Sequence, residues 1–226
     1  MQPPVPRFHH ALGFAALAVV GLTQGIAFGD GSRTNDFLDN GITAHRGNSG
    51  EYPENTMPAF ESGIRVGADW IELDIFRTAD GKLVVIHDRT TERVGDKNLN
   101  VAQSNYEELL TVDVATDFRH RHAKTTAECP PRTIPLLQDV LRLVLGQDKT
   151  RVSIQPKMDC VAAAVNLVKR MGAAKWVGFN DGNLQYMAQV KRLAPEIRVF
   201  WDRGPSDLDD DIRIARKHGF ESLVLH

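Results

Sequence analysis

"WIELDIFRTADGKLVVIHD", residues 70–88, contains two apolar runs that read as buried β-strands joined by a turn. The first run carries Glu72 and Asp74 between leucine and isoleucine residues, and the second ends on His87. Side chains alternate along a strand, so the two carboxylates point the same way, roughly 6.6 Å apart at ~3.3 Å per residue. Two unpaired ionised carboxylates in a protein interior cost several kcal/mol each. The stretch therefore predicts a positive group between Glu72 and Asp74.

Two kinds of positive group would satisfy these carboxylates. A hard divalent cation, Ca²⁺ or Mg²⁺, prefers oxygen ligands and would neutralise both at once. The alternative is that each carboxylate forms its own salt bridge with an arginine or a lysine. The two carboxylates alone do not distinguish a bound cation from separate salt bridges.

Histidines at the ends of neighbouring strands favour a catalytic site. His45 ends the first apolar run, "GITAHRG", and His87 ends the third. In a barrel wound in sequence order, strands one and three flank strand two, so both imidazoles would border the carboxylates. Their near-neutral pKa suits general acid and general base roles. Arg46 and Lys157 could each hold a phosphate, and the whole set predicts phosphodiester hydrolysis.

The rest of the chain predicts a parallel α/β fold. After residue 40, seven short apolar runs alternate with stretches of helical spacing, as in a (β/α)8 barrel or an open doubly wound sheet. No G-x-G-x-x-G follows the first strand, and polar residues cluster where strands end, which favours the barrel. Seven strands predict a (β/α)8 TIM-type barrel that lacks its eighth strand at the C-terminus.

The N-terminal segment differs from this barrel. Residues 1–29 combine a short head containing Arg7, an apolar run and the small-x-small site Ala27-Phe28-Gly29, as in a secretory signal peptide. A retained membrane anchor is the alternative, but the strongly apolar part, about residues 11–22, is short for a span of ~20 residues. We expect an exported protein with no stable membrane span after signal removal, and a barrel domain over residues 40–226.

Charge and composition exclude some partners and leave other points open. The net charge of −2 and the lack of a Lys/Arg tract give no electrostatic case for a nucleic-acid partner. Residues 89–132 form an expected insertion, whose "FRHRH" at 118–122 either helps to hold phosphate or is a solvated surface stretch. Cys129 and Cys160 could pair in an exported protein or stay as separate thiols.

Three motifs resemble those of the glycerophosphodiester phosphodiesterases. They are "HRGNSGEYPENTMPAF" from residue 45, "GADWIELDIFRTADGKLVVIHDRTTER" from residue 67 and "IPLLQDVL" from residue 134. The match covers about residues 42–141 in order and spacing, and the rest of the chain shares only the strand–helix rhythm. The resemblance implies a (β/α)8 barrel that hydrolyses glycerophosphodiesters, such as glycerophosphocholine, to glycerol 3-phosphate and an alcohol, using Ca²⁺ or Mg²⁺.

The resemblance also implies a role for each matching residue. It gives His45 and His87 as the acid/base pair, Glu72 and Asp74 as metal ligands, Arg46 and Lys157 as phosphate contacts, and Glu54 and Asn55 as residues that organise the site and cap the first helix. Related enzymes proceed through attack by a neighbouring substrate hydroxyl, which gives a cyclic phosphate that water then opens.

Two departures from the family pattern leave other functions open. Gln155 stands where the family has a glutamate as its third metal ligand, and the family's eighth strand, which brings a tryptophan to the rim, is missing. The alternatives are a barrel that binds phosphodiesters or lipid head groups without turnover, and a phospholipase D-like enzyme acting on choline lipids.

The first departure generates a prediction. An amide oxygen can ligate a hard cation but brings no charge. From the sequence alone, Gln155→Glu should therefore tighten Ca²⁺ binding, measured by isothermal titration calorimetry. Unchanged affinity would mean that residue 155 is not a ligand.

Overall fold

The computed structural model describes residues 41–225, and the predicted signal peptide lies outside them. Seven strands are present in this part of the chain: β1 Thr43–Ala44, β2 Trp70–Arg77, β3 Leu83–Val85, β4 Arg151–Pro156, β5 Val177–Asp181, β6 Arg198–Arg203 and β7 Ser222–Leu225. The helices are α1 Met57–Arg65, α2 Tyr106–Leu109, α3 Thr116–Arg121, α4 Leu137–Leu145, α5 Val161–Arg170, α6 Leu184–Leu193 and α7 Leu208–His218, with a 3₁₀ turn at Ala174–Trp176.

Six strands form a curled parallel sheet. Its order is β1-β2-β4-β5-β6-β7, with every neighbouring pair parallel. Each pair is joined through a helix: α1 precedes β2, α4 precedes β4, and α5, α6 and α7 precede the remaining three. This repeat of strand and helix confirms the predicted class as an incomplete (β/α)8 barrel.

The third strand corrects the sequence-based topology. β3 pairs antiparallel with β2, with Ile75 opposite Val85 and Arg77 opposite Leu83. Only residues 78–82 join these strands, whereas a parallel crossover needs a dozen or more. In the parallel sheet, β2 therefore lies between β1 and β4. The predicted arrangement, with β2 between β1 and β3, is wrong. Residues 41–225 supply six barrel strands, two fewer than eight rather than one.

The two faces of the parallel sheet have different chemistry. On β2, Ile71, Leu73 and Ile75 belong to the main apolar cluster, which also contains buried residues of α1, α4, α5 and α6. Alternation turns Glu72 and Asp74 to the opposite, concave face. The carboxylates therefore do not interrupt the apolar layer beneath the helices.

The segment between β3 and α4 packs against β2 and β3 through a second apolar cluster, which includes Phe76 and Val84. It contains the short helix expected near "NYEELL", which is α2, and contributes Val101, Leu109 and Val112 to this cluster. In "FRHRH", Phe118 is buried and Arg119 pairs with Asp113.

Two further features concern the cysteines and membrane spans. Cys129 and Cys160 are both buried and free, so the thiols do not pair. Within residues 41–225 no helix is long and apolar enough to cross a membrane.

The floor of the concave face is aromatic and requires a glycine. Trp70 and Phe200 meet edge to face with their ring centroids 5.2 Å apart. A Cβ at Gly178 would lie 2.5 Å from Cε2 of Phe200 and 3.1 Å from Cζ3 of Trp70. The rings therefore occupy the space that any larger residue on β5 would need.

We predict that Gly178→Ala lowers the free energy of unfolding by about 1–3 kcal/mol, the usual cost of overpacking. At about 2–4 °C per kcal/mol, thermal denaturation would resolve this loss. Gly204→Ala is the matched control, because a Cβ there meets nothing within 4 Å. Equal melting temperatures for the two variants would show that the floor can repack.

Candidate active site

The concave face ends in a mouth lined by polar side chains from five strands or their ends. Register aligns Asp74 of β2 with Gln155 of β4, and His45 directly follows β1. A cavity of about 290 Å³ opens there, lined by Thr43, His45, Glu72, Ser153, Gln155, Asn180, Phe200, Asp202 and Val224. The parallel strands thus bring together residues that are far apart in the sequence.

Glu72 is nearly buried and has little compensation for a negative charge. Its Oε2 accepts a hydrogen bond from the backbone N–H of Arg46 at 3.1 Å and lies 3.9 Å from Nε2 of His45. Burial, followed by the charge of Asp74, raises the pKa of Glu72 to about 8. The carboxyl of Glu72 therefore stays protonated at pH values well above its ordinary pKa.

Asp74 is fully buried and surrounded by donors. Its Oδ2 accepts a hydrogen bond from Nδ2 of Asn55 at 2.8 Å and lies 3.5 Å from Nε of Arg46. Its Oδ1 lies 3.1 Å from Nζ of Lys157 but accepts no hydrogen bond within the described chain. The salt-bridge alternative thus describes Asp74 in this structure, whereas Glu72 forms no such bridge with an arginine or lysine of residues 41–225.

The loop after β1 is shaped by left-handed backbone. Arg46 and Gly47 have φ of 56° and 77°, and a Cβ on Gly47 would lie 2.7 Å from the backbone carbon of Ala59. Asn55 also has a positive φ, and its N–H donates to the carbonyl of Arg46. Thr56 rather than Asn55 is the N-cap of α1, without a side-chain cap bond, so Asn55 serves Asp74 instead of capping the helix.

Glu54 joins two arginines at the rim. It accepts hydrogen bonds from Nη1 of Arg46 at 3.0 Å and from Nη2 of Arg93 at 2.6 Å. Burial opposes ionisation of this carboxyl, but Arg93 and then Arg46 hold its pKa below the ordinary value. The predicted organising role of Glu54 therefore has a physical basis, because it fixes Arg46 from the side opposite Asp74.

His87 reaches the mouth by a different route from the one predicted. It lies two residues beyond β3, and the N–H of Ile86 donates to the carbonyl of Asp74 at 3.0 Å, which fixes the chain there. Nδ1 of His87 lies 2.6 Å from Oδ1 of Asp88. Since a carboxylate only accepts, Nδ1 carries a proton and a neutral ring presents its lone pair on Nε2.

His45 lines the cavity beside Glu72. Partial burial and the charge of Arg46 lower its pKa, and the charge of His87 contributes in the same direction. Because the imidazole is 68% exposed, solvent screens much of this effect. Of the two predicted acid/base residues, His45 therefore lies beside Glu72, whereas His87 follows the residue whose N–H is bonded to the Asp74 carbonyl.

Gln155 and Lys157 lie against Asp74 as expected, but they are joined to each other. Nζ of Lys157 donates to Oε1 of Gln155 at 2.5 Å while it contacts Asp74. Nε2 of Gln155 donates to Oδ2 of Asp202 at 3.2 Å. The ammonium of Lys157 thus sits between two oxygens that the sequence assigned to a metal ion.

The donor set matches a hard cation in chemistry. Glu72, Asp74 and Gln155 offer oxygens alone, and the buried Oδ1 of Asp74 accepts no hydrogen bond from the described residues. Among residues 41–225, no group of three or more histidine, cysteine, aspartate and glutamate side chains is arranged to hold a metal ion. A cation here would therefore depend on the Gln155 amide as third donor and would displace Lys157 from these oxygens.

Sequence reasoning missed Asp202 and the pair Asp88 and Arg93. Asp202 lies near the end of β6, two residues after Phe200, so strand alternation places both on the concave face. That spacing could have been recognised once β6 was assigned. Arg93 carried no such signal, because it depends on the loop fold that brings it to Glu54.

The fold and the mouth define a (β/α)8-type barrel with carboxylates, imidazoles and fixed cations around one cavity. The model of the glycerophosphoryl diester phosphodiesterase family matches residues 45–211. The chain belongs to this family.

Individual proteins agree with that assignment. The chain is 37% identical to the Bacillus subtilis protein YqiK over 69% of its own length, and 44% identical to a Bacillus altitudinis glycerophosphodiester phosphodiesterase over 51%. It spans 63% and 44% of those two relatives. The crystal structure of an Agrobacterium tumefaciens glycerophosphodiester phosphodiesterase superimposes with a TM-score of 0.64 and 26% identity, covering 81% of this chain and 85% of that one.

The raised pKa of Glu72 predicts a pH-dependent stability without metal. Because the folded chain binds this proton more tightly than the unfolded chain, the contribution is fully present below the ordinary value of 4.5 and lost as pH rises towards about 8. The melting temperature in EDTA should therefore fall over this range. Glu72→Gln, which keeps the shape without a charge, should flatten that fall, and parallel profiles would contradict the assignment.

Proposed function

We propose that this protein hydrolyses glycerophosphodiesters to glycerol 3-phosphate and an alcohol. The observation that carries the proposal is that His45 lies beside Glu72, Arg46 and Lys157 contact Asp74, and the chain just before His87 is hydrogen-bonded to Asp74. Family membership supports the same chemistry, and the whole activity is proposed because the chain spans only part of its relatives' length.

Charge balance explains why a divalent cation belongs to the proposal. Arg46 and Lys157 both pair with Asp74 in the metal-free chain, so neither positive charge is available to a phosphodiester anion. A cation held by Glu72, Asp74 and Gln155 would supply Lewis-acid stabilisation of the phosphoryl oxygens and leave Arg46 and Lys157 free to bind them. We propose Ca²⁺ or Mg²⁺, since each prefers oxygen donors.

The basic side chains and the histidines divide the remaining work. Arg46 and Lys157 orient the phosphate, Arg46 as a planar fork and Lys157 as a point charge. One histidine takes the proton from the attacking oxygen, which forms a bond to phosphorus as the bond to the leaving alcohol breaks. The other histidine donates a proton to that alcohol oxygen.

The histidines have different supports, which suggests how they divide these roles. His87 is held by Asp88, whose pKa burial would raise but which His87 and Arg93 keep low, so a stable negative charge faces Nδ1. Asp88 therefore orients the His87 ring, and we assign His87 the general-acid role. His45 lies 3.9 Å from Glu72 instead, and burial lowers its pKa, which suits a general base.

We also propose that the protein acts after export. The support is the composition of residues 1–29, an apolar run with a small-x-small site as in a signal peptide. Sequencing the N-terminus of the mature protein tests this proposal, because retention of Met1 would contradict cleavage.

We predict glycerol 3-phosphate release from glycerophosphocholine that stops in EDTA and returns with Ca²⁺ or Mg²⁺. His45→Ala and His87→Ala should each lower kcat by about 100- to 10,000-fold, the usual contribution of a positioned acid or base. An enzyme-coupled assay of glycerol 3-phosphate measures both effects. His120→Ala, at an exposed position on α3, is the control and should leave kcat unchanged.

Three other outcomes would replace the proposal. Hydrolysis unaffected by EDTA would remove the cation. Binding of glycerophosphocholine without turnover would favour a head-group-binding barrel, the alternative that Gln155 and the six-stranded sheet motivate. Release of choline from intact phosphatidylcholine would favour a phospholipase D-like enzyme.

A further inference from the structure

The amide of Gln155 has only one chemically consistent orientation. An ammonium only donates hydrogen bonds and a carboxylate only accepts them. Lys157 therefore fixes Oε1 of Gln155 on its side, at 2.5 Å, and Asp202 fixes Nε2 on the other, at 3.2 Å. The Gln155 oxygen consequently faces Asp74, which Lys157 also contacts.

Asp202 is itself held in place by neighbouring strands. Its Oδ2 also accepts from Nδ2 of Asn180 on β5 at 3.4 Å. Oδ1 of Asn180 in turn accepts from Oγ of Ser153 on β4 at 2.6 Å. A chain of hydrogen bonds thus runs across three strands and ends on the Gln155 amide.

We propose that Asp202 is a positioning residue that turns the Gln155 oxygen towards Asp74 and the cation site. The inference rests on the proposed function, because that oxygen is the third donor of the proposed site. Without Asp202, Gln155 would lose the partner that keeps its Nε2 away from Asp74, and a flipped amide would present a donor instead of an acceptor.

This contact changes the expectation for Gln155→Glu drawn from the sequence. The new carboxylate would lie against Asp202 with no proton to share, so like charges would meet at the mouth. The gain in ligand charge should appear only in the double variant that combines Gln155→Glu with Asp202→Asn, since the amide introduced by the second substitution can donate to the new carboxylate.

Ca²⁺ titration calorimetry on the full chain tests the positioning role. Asp202→Ala should weaken Ca²⁺ binding about 10-fold or more, the usual effect of losing a residue that orients a ligand. Asp202→Asn should stay close to the wild type, because its amide oxygen still accepts from Gln155. Asp209→Asn, an exposed residue of α7, controls for net charge. Wild-type affinity in Asp202→Ala would overturn the proposal.

A metal-free measurement keeps the inference testable even if Ca²⁺ does not bind. In EDTA, Gln155→Glu should lower the melting temperature by about 2–4 °C, and adding Asp202→Asn should restore it. Strictly additive effects of the two substitutions would refute the contact. If this coupling is present but glycerol 3-phosphate is never released, the proposed function fails while the positioning role stands.

Discussion

The architecture of this protein depends on two carboxylates that β2 directs into the concave side of the sheet. Buried acids cannot stay ionised without positive partners, and the two carboxylates differ in whether they have such partners. Asp74 is compensated by Lys157, Arg46 and Asn55, whereas Glu72 keeps a proton at a pKa of about 8. The loop after β1 supplies two of the partners of Asp74, Arg46 and Asn55.

These contacts of Asp74 belong to a continuous polar network. It runs from His87 through Asp88 and Arg93 to Glu54, then through Arg46 to Asp74. On the other side it continues from Asp74 through Lys157 and Gln155 to Asp202. Opposite charges or matched donors and acceptors meet at each step. One set of hydrogen bonds and ion pairs therefore connects His87 to the proposed phosphate contacts and to the proposed cation ligands Asp74 and Gln155.

Lys157 joins Asp74 to Gln155 in this network. Its ammonium touches the two oxygens, on Asp74 and Gln155, that a cation would also need. The same side chain thus serves the metal-free chain as an internal counter-ion and the proposed enzyme as a phosphate contact. In the proposed enzyme, a bound cation would release Lys157 for the phosphate.

The sequence by itself determined the barrel class, the seven strands and the alternation that turns Glu72 and Asp74 to one face. It did so because strand alternation and motif spacing are local properties that no distant contact alters. The antiparallel course of β3 was also within reach, since the linker at residues 78–82 is too short for a crossover. Interpreting that stretch as a barrel strand gave the wrong neighbours for β2.

Only the tertiary structure decided which side chains meet. The contacts of Asp202 with Gln155 and of Arg93 with Glu54 join residues separated by 47 and 39 positions, and Lys157 and Asp74 are still farther apart in the chain. Their partners depend on sheet order and on loop conformations that no local pattern specifies. Whether a buried acid is ionised depends in turn on those partners, because desolvation and neighbouring charge act through space rather than along the chain.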